Sequence, residues 1–228
     1  MNVIRCADAE EVAARSADAI ATAVGAARAT RGEAHLALCG GSTPRRCYQL
    51  LGPLLDSWEN VHLWYGDERC VPPEDPQANV RMVRESLDAP GAVEHRMPGE
   101  LGPVEGAAAY ARELGDTVMD LTLNGMGPDG HTASLFPHHP LLDATGPTAG
   151  ISDAPKPPPE RITLTLPMLN ASRRLILIVA GSDKAAALAR VLAGPDRGTP
   201  ASLLDRDKLD AVADAGALAA WTDELRDS

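Results

Sequence analysis

A carboxylate and an imidazole stand two residues apart in the middle of the chain, at Asp129 and His131. They lie at the end of a glycine-rich segment, residues 124–131, which follows an apolar run at residues 118–123. An apolar run stopped by glycines predicts a buried strand that enters a tight loop. Because Gly130 permits backbone angles that are closed to other residues, Asp129 and His131 could converge on one cleft and perform acid–base chemistry. The alternative is a glycine-rich turn with a solvated aspartate and an incidental histidine.

A second glycine-rich turn, Gly40-Gly41-Ser42-Thr43, follows a strand predicted at residues 34–38. A helix comes next, for which Thr43 is the predicted N-cap and Pro44 the first helical residue. Such a turn offers free backbone N–H groups, two hydroxyls and the positive end of the helix dipole, which together suit a phosphate. An ordinary capped turn is the alternative. The turn is not a Walker loop, because no Gly-Lys-Ser/Thr sequence follows.

Charged side chains follow two further predicted strands. Asp67 and Arg69 come after a strand predicted at residues 61–65, and Lys184 lies just beyond a strand predicted at residues 175–179. The helix dipole disfavours a lysine in the first turn of a helix, so Lys184 suggests a functional use for its charge. An exposed lysine without such a use is the alternative.

Strands alternate with helices along the chain. The predicted strands are residues 34–38, 61–65, 118–123, 161–166, 175–179 and 209–212, and the predicted helices include residues 9–30, 79–87 with Asn79 as the cap, 104–115 and 214–225. This order predicts an α/β fold, with a mostly parallel twisted sheet and helices on both faces, in a single domain that covers residues 1–228. In a parallel sheet the loops described above share one edge, where ligands bind. The sequence therefore points to acid–base chemistry on a small phosphorylated substrate.

The composition limits the partners and the location. The net charge of −11 argues against nucleic acid and an anionic membrane surface as partners. The N-terminal residues lack the basic flank and apolar core of a signal peptide, and no apolar run approaches the length of a membrane span. The four cysteines lack C-x-x-C pairing, which suits reduced thiols. We therefore expect a cytoplasmic protein, and also a monomer that uses no cofactor.

Two other kinds of site fit parts of the same loop. The glycine spacing of residues 125–130 matches the dinucleotide fingerprint G-x-G-x-x-G, but the charge of Asp129 would repel a pyrophosphate at that point. A zinc site made of His131, His138 and His139 lacks a helical H-x-x-x-H pair, and the last two lie in a proline-bounded loop. The sequence favours neither site, and no metal is predicted.

Five sequence runs, spread in order over nearly the whole chain, resemble the 6-phosphogluconolactonase family, within the larger glucosamine-6-phosphate isomerase/lactonase group. The runs are CGGSTPRRCYQLL, WYGDERCVP, GMGPDGHTASLFP, PPERITLTLP and VAGSDKAAALARVL. The resemblance implies a Rossmann-like fold of the sugar-phosphate isomerase/lactonase type. It also implies a metal-free hydrolase that opens 6-phosphoglucono-δ-lactone to 6-phosphogluconate, the second step of the oxidative pentose phosphate pathway.

Carried over by position, the resemblance implies roles for the predicted site residues. Those implied to hold the phosphate or nearby hydroxyls are Gly41, Ser42, Thr43, Arg161 and Lys184, with charge added by Arg69; Gly40 and Asp67 complete the predicted site. His131 is implied to be the catalytic base and Asp129 its partner or orienter. In this chemistry neutral His131 takes a proton from the attacking water, and the imidazolium then gives a proton to the ring oxygen of the lactone.

The related sugar-phosphate isomerases and deaminases are the nearest alternative. Their loop resembles GxGxDGHIAFNEP, with a glutamate five residues after the histidine, where this chain has Phe136. Moving a proton between two sugar carbons needs more acid–base groups than lactone hydrolysis does, so Phe136 favours the lactonase. A non-catalytic sugar-phosphate sensor is a further alternative, but such sensors usually carry a DNA-binding segment, and no basic helix pair occurs here.

Overall fold

Strands and helices alternate along the part of the chain that the computed structural model describes, residues 1–221. The strands are β1 Asn2–Cys6, β2 Ala34–Leu38, β3 Val61–Tyr65, β4 Asp67–Arg69, β5 Val93–Glu94, β6 Leu121–Gly125, β7 Thr148–Ile151, β8 Arg161–Leu164, β9 Leu175–Val179 and β10 Leu209–Asp214. The helices are α1 Ala9–Arg31, α2 Ser42–Leu51, α3 Asn79–Ser86, α4 Gly102–Leu114, α5 Leu166–Ala171 and α6 Ala185–Ala193. The predicted α/β fold is confirmed.

Within residues 1–221, seven strands form a parallel sheet in the order β1-β10-β9-β6-β2-β3-β5. After β2 the chain moves to one side of the sheet, to β3 and β5. After β6 it moves to the other side, to β9 and β10. The direction of winding therefore reverses between the adjacent strands β2 and β6. In open α/β sheets, ligands bind in the crevice outside the carboxyl ends of the strands at such a point.

A second sheet, which the sequence did not predict, is antiparallel and has the order β4-β8-β7 in the same part of the chain. Gly66 makes the change of sheet after β3. Its N–H donates to the Leu38 carbonyl of β2, and its own carbonyl accepts from Leu164 N–H of β8, each at 2.8 Å. Asp67 and Arg69 therefore follow a strand of the first sheet, as predicted, and also form a strand of the second.

Helix α1 follows its predicted bounds closely because both of its ends are marked in the sequence. Asp8 is the N-cap, and its side chain accepts from Glu11 N–H at 2.9 Å. The helix ends at Gly32, whose φ of 84° is a left-handed conformation that glycine adopts without steric cost. Its buried face packs on α2 and on strands β2, β9 and β10.

Two predicted helix caps are wrong. The N-cap of α2 is Gly41, at a φ of 124° that favours glycine, so the helix begins at Ser42 and Thr43 lies inside it. Helix α3 begins at Asn79, whose side chain donates to the Asp67 carbonyl and does not cap the helix. The buried carboxylate of Glu68 takes the capping role instead, because it accepts the N–H groups of Asn79 and Val80 at 2.7 and 2.8 Å.

Several short elements lie where the sequence predicted loops or made no prediction. These are β1, β5, β7 and α5. The predicted closing helix at residues 214–225 is not present in its described part, because Asp214 ends β10 and residues 215–220 form turns. The remainder of that helix lies outside the described residues.

The hydrophobic core draws buried side chains from both sheets and from the helices around them. Leu36, Leu123, Ile176 and Val212 of the parallel sheet belong to the same buried cluster as Ile162 of the antiparallel sheet. Among residues 1–221, no helix has the length and apolar character needed to cross a membrane. The single domain assigned to residues 1–228 stays a prediction.

Candidate active site

A cleft opens at the carboxyl ends of β2 and β6, where the winding of the sheet reverses. Its larger part has a volume of about 210 Å³ and contains six of the predicted residues, Gly40, Gly41, Asp67, Arg69, His131 and Arg161. An adjoining part of about 120 Å³ contains Gly40, Gly41, Ser42, Thr43 and Lys184. The two parts share Gly40, Gly41, Gly125 and Met126, so they form one continuous cleft. Asp129 stands behind the lining, against His131.

The imidazole of His131 is paired on one side and open on the other. Its Nδ1 lies 2.6 Å from Asp129 Oδ1. Since the carboxylate can only accept a hydrogen bond, Nδ1 carries the proton and Nε2 keeps its lone pair. Within residues 1–221, no group hydrogen-bonds Nε2, and the ring lines the cleft. The arrangement suits a proton acceptor whose orientation is fixed from behind.

Glycines allow the loop after β6 to hold His131 in this place. Gly130 adopts a φ of 88°, which a residue with a side chain rarely accepts, and its N–H donates to the Gly127 carbonyl at 2.9 Å. The N–H of Gly127 in turn donates to the His131 carbonyl at 3.0 Å. A Cβ at Gly127 would overlap the imidazole ring. The loop is therefore closed tightly around the histidine.

Phe136 supports the imidazole from the side. Its ring is 1% exposed, and its centroid lies 4.8 Å from that of His131. The guanidinium of Arg161 also stands over the Phe136 ring, 5.5 Å from its centroid. The Phe136 side chain packs with Ile151 and Ala154 in a small cluster apart from the main core. Phe136 thus joins the histidine loop to the segment that leads into β8.

Lys156 is a member of the site that the sequence analysis missed. Its Nζ lies 3.1 Å from Asp129 Oδ1 and 3.2 Å from His131 Nδ1. The residue is 25 positions from His131 in the chain, and neither spacing nor periodicity brings the two together. The signal that was present is a lysine directly before three prolines, a stiff segment that leads to Arg161.

The carboxylate of Asp129 is held in its ionised form. Partial burial by itself would raise its pKa, but hydrogen bonds and charge from His131 and Lys156 lower the pKa of Asp129 well below its ordinary range. Both partners hydrogen-bond to the same carboxylate oxygen, Asp129 Oδ1. The carboxylate therefore keeps its charge beside the imidazole at neutral and mildly acidic pH.

The smaller part of the cleft contains groups that suit an anion. Within residues 1–221, no side chain caps helix α2, so the N–H groups of its first turn, at Ser42 and Thr43, carry the positive end of the dipole without a side-chain partner. Lys184 Nζ borders the same space and donates to the Ala180 carbonyl at 2.9 Å. Backbone N–H groups and an ammonium together suit a phosphate.

Asp67 lies in the larger part of the cleft as a buried and fully oriented carboxylate. Its Oδ2 accepts from the Ser134 hydroxyl at 2.7 Å, and its Oδ1 accepts from the Asn79 side-chain amide at 3.2 Å. A Cβ at Gly40 would overlap that amide, which explains the first glycine of the Gly-Gly turn. An oriented carboxylate beside an amide suits sugar hydroxyls better than a second anion.

Two guanidinium groups border the same part of the cleft from neighbouring strands. Arg69 on β4 and Arg161 on β8 are partners in the antiparallel register. Burial, together with the charge of Arg69, lowers the pKa of Arg161, and the carboxylate of Asp67 opposes that effect. Arg69 also donates to the Gln77 carbonyl at 2.6 Å. The two arginines make this wall of the cleft positive although the chain as a whole is acidic.

The histidines weighed as zinc ligands do not come together at this site. His138 is exposed, and His139 pairs with Asp153 at 3.1 Å. Within residues 1–221, the one group of three side chains with ligand atoms inside 4.8 Å of one another is Glu33, His35 and His62. That group lies at the amino ends of β2 and β3, at the opposite end of the sheet.

Comparison with known proteins identifies the family of the chain. The family model described as glucosamine-6-phosphate isomerases/6-phosphogluconolactonase matches residues 7–213. The chain is 40% identical over 212 residues to a 6-phosphogluconolactonase of Streptomyces coelicolor, covering 82% of this chain and 81% of that protein. It is 39% identical over 209 residues to a 6-phosphogluconolactonase of Mycobacterium tuberculosis, covering 83% and 85%.

A solved structure shares the fold over nearly the full length of both chains. The crystal structure of a 6-phosphogluconolactonase from Shewanella baltica has a TM-score of 0.85 and 27% sequence identity, and the match covers 94% of this chain and 98% of that one. From the family model and these relatives, the chain belongs to the glucosamine-6-phosphate isomerase/6-phosphogluconolactonase family.

Proposed function

We propose that this protein hydrolyses 6-phosphoglucono-δ-lactone to 6-phosphogluconate. One observation carries the proposal: the open Nε2 of His131 faces a cleft whose far end holds the uncapped N-terminus of α2 and Lys184. A single substrate with a phosphate at one end and a reactive carbonyl at the other fits this arrangement. Relatives named 6-phosphogluconolactonase support the assignment.

The first step is the attack of water on the lactone carbonyl. Water is a poor nucleophile, and His131 Nε2 accepts one of its protons as the water oxygen bonds to C1. The carbonyl oxygen becomes an oxyanion, and the positive wall formed by Arg69 and Arg161 faces it with compensating charge. Asp129 stabilises the imidazolium through its bond to Nδ1–H.

The second step is the opening of the ring. The tetrahedral intermediate collapses, the bond between C1 and the ring oxygen breaks, and the carboxylic acid forms. An alkoxide is a poor leaving group, so the imidazolium gives its Nε2 proton to the ring oxygen as that bond breaks. His131 returns to its neutral state with the proton still on Nδ1. One imidazole therefore serves first as base and then as acid.

The remaining contacts follow from charge. The phosphate lies against the N–H groups of Ser42 and Thr43 and against Lys184, because this part of the cleft is made of donors. The sugar hydroxyls donate to Asp67, whose negative charge would repel the phosphate. Water, substrate and this chain's own side chains supply every atom and proton of the reaction, so no cofactor or metal enters it.

The second candidate is an isomerase or deaminase reaction, and the position of Phe136 argues against it. The side chain at that position contacts the imidazole itself, at a centroid distance of 4.8 Å. An acidic residue there would add a second proton-transfer group beside His131. The apolar ring supplies none, which suits a reaction that needs a single base and acid.

The setting of the enzyme is also part of the proposal. We propose that it acts in the cytoplasm as a monomer and binds neither nucleic acid nor membranes. The four cysteines are free thiols, as expected for a reducing compartment. The net charge of −11 disfavours polyanionic partners and leaves attraction of the substrate to the local cations of the cleft.

A pair of assays on the unmodified protein tests the function. Freshly generated 6-phosphogluconolactone is hydrolysed in a coupled assay, with the spontaneous reaction subtracted, and ammonia release from glucosamine 6-phosphate is measured in parallel. We expect hydrolysis well above the spontaneous rate and no ammonia release above that of a His131→Ala control. Ammonia release that depends on His131 would replace the lactonase with the deaminase.

A further inference from the structure

Lys156 contacts both members of the Asp129–His131 pair. Its ammonium lies 3.1 Å from Asp129 Oδ1, the same oxygen that accepts from His131 Nδ1. It also lies 3.2 Å from Nδ1 itself. Since Nδ1 and Nζ both carry protons aimed at the carboxylate, the contact between these two nitrogens is not a hydrogen bond. Once the ring is protonated, the ammonium of Lys156 therefore lies beside a like charge.

The position of Lys156 is fixed by a buried arginine. The Nε of Arg161 donates to the Pro158 carbonyl at 2.9 Å, and its Nη2 donates to the carbonyls of Lys156 and Pro157 at 2.9 and 3.3 Å. Arg161 is 4% exposed, so these bonds are sheltered from water. Three consecutive prolines stiffen the same segment. An arginine of the substrate cleft thus holds the segment that delivers the lysine.

We infer that Lys156 is a positioning residue for the proposed proton transfers, which holds Asp129 against Nδ1 and makes the imidazolium of His131 a stronger acid. The inference rests on the proposed function. A carboxylate alone would stabilise the imidazolium and slow the return of the proton to the leaving oxygen. The adjacent ammonium offsets part of that stabilisation. His131 is then free of its proton when water attacks and releases it readily when the ring opens.

The charges that face His131 come from several elements. Asp129 and Lys156 contact the ring, whereas Asp67, Arg69 and Arg161 line the cleft in front of it. The three cleft residues are unchanged when Lys156 is replaced. A change in the titration of the ring on replacing Lys156 therefore reports the lysine itself.

Three variants test the inference. Lys156→Met keeps most of the length of the side chain and removes its charge, and Lys156→Arg keeps the charge. Lys208→Met is the matched control, because Lys208 donates to the Asn170 carbonyl near the start of β10, at the other end of the sheet. Thermal unfolding of each variant verifies folding before kinetics are measured.

The pH profile of kcat/KM for 6-phosphogluconolactone is the first measurement. In Lys156→Met we expect the acidic limb to move to higher pH by about one unit, as for removal of a like charge within about 4–6 Å. At a pH on that limb, kcat/KM then falls about tenfold. In Lys156→Arg and in Lys208→Met we expect the acidic limb to stay at its wild-type pH. An equal loss at every pH, or a shift to lower pH, overturns the inference.

NMR titration of the His131 ring gives a reading that does not depend on activity. In the same variants, without substrate, the midpoint of the imidazole resonances should move to higher pH in Lys156→Met alone. An unmoved midpoint overturns the inference even if the lactonase assay succeeds. If the unmodified protein fails to hydrolyse the lactone, the proposed function fails by itself, and the titration still decides whether Lys156 acts on the ring.

Discussion

The two ends of the parallel sheet both place histidines beside carboxylates, yet they differ in what the ring nitrogens face. At the carboxyl end, His131 is oriented by Asp129 and turns Nε2 to the cleft. At the other end lies the amino-end histidine cluster, which consists of Glu33, His35, His62, His95 and Glu113. In that cluster the ring nitrogens mainly bond to one another and to the side chains around them.

The hydrogen-bond directions of the amino-end histidine cluster follow from two fixed partners. His95 Nδ1 lies 2.7 Å from the Glu113 carboxylate and so donates to it, which leaves His95 Nε2 to accept from His62 Nδ1 at 2.9 Å. Trp64 Nε1 can only donate, so His35 Nδ1 accepts from it at 3.0 Å. His35 then carries its proton on Nε2, the atom that a metal ion would need to be free.

The larger cavity does not lie at the candidate active site. The cavity beside His35 and Glu33 is larger, at about 450 Å³, than either part of the cleft. Its two arginines, Arg31 and Arg173, are both paired with the buried carboxylate of Asp120, at 2.6 and 3.2 Å. At the cleft, by contrast, the first turn of α2 has no side-chain cap. We conclude that available hydrogen-bond donors, more than cavity volume or residue type, distinguish the candidate active site.

The two ends of the sheet should differ most in the effect of replacing a histidine. His131→Asn removes the proposed general base and should lower kcat/KM for 6-phosphogluconolactone by roughly 10²–10⁴-fold. His62→Asn makes the same chemical change in the amino-end histidine cluster and should leave kcat/KM within twofold of the wild type. Both variants are assayed against the spontaneous rate. Comparable losses in the two variants would show that His131 has no special role.

The next effect separates the phosphate contact from the chemistry. Lys184→Ala removes an ammonium from the anion site and should raise KM for the phosphorylated lactone about 10- to 100-fold, the equivalent of a charged hydrogen bond worth about 1.5–3 kcal/mol. Unphosphorylated gluconolactone, which lacks the anion, should be affected little. Lys208→Ala is the control at the other end of the sheet. Equal losses on both lactones would indicate that Lys184 only supports the fold.

A smaller effect concerns stability in mild acid. Burial first, and then the neighbouring His35 and His95, lower the pKa of His62 in the folded protein below its ordinary value of 6.5. The unfolded chain therefore binds more protons, and the free energy of unfolding falls as pH drops below about 6.5. Urea titrations at pH 7.5 and 5.5 should show this fall, and His62→Gln should reduce it. An unchanged pH dependence in His62→Gln would contradict the assignment.

The pKa of Asp129 gives the other end of the sheet a different pH range. Because its folded value is lowered, its contribution to stability is present above the ordinary aspartate range and is lost as pH falls through and below that range. Asp129→Asn should therefore flatten the pH dependence of stability in stronger acid, well below the range of His62. A free energy of unfolding that falls in stronger acid as steeply in Asp129→Asn as in the wild type would contradict this assignment.

The smallest expected effect is that of chelation. Prolonged EDTA treatment should leave kcat unchanged, because the proposed reaction uses no metal. Added Zn²⁺ tests the amino-end histidine cluster, where binding would cost the hydrogen bond from Trp64 to His35. Any ion held there should leave kcat/KM unaltered, since the cluster lies away from the cleft. Loss of activity in EDTA with recovery on adding Zn²⁺ would contradict the metal-free mechanism.

The sequence predicted the elements whose signals are local. Apolar runs ended by glycine gave the central strands, and Asp8 and Gly32 mark both ends of α1. The loop with Asp129 and His131 was predicted from the glycines that stop the apolar run. In the structure Gly130, between the two residues, takes a left-handed conformation. These predictions depend on neighbours within a few residues, which spacing in the chain reveals.

The sequence could not predict features that depend on partners far along the chain. The pairing of β4 with β8, which places Arg69 opposite Arg161, joins segments more than ninety residues apart. Residues 67–69 are also too short a segment to indicate a strand. Glu68 caps α3 across a proline-rich loop, so Asn79 was wrongly given that role. Lys156 reaches Asp129 only because Arg161 holds its segment in place. Each contact is set by tertiary packing and not by local pattern.

The proposed binding direction is tested by a structure of the protein with 6-phosphogluconate bound. We expect the phosphate to contact Lys184 Nζ and the N–H groups of Ser42 and Thr43 at about 2.7–3.2 Å. We expect the C1 carboxylate of the product to lie beside His131 Nε2. A product bound in the opposite direction, or in the cavity beside His35 at the amino end of the sheet, would contradict the proposed function.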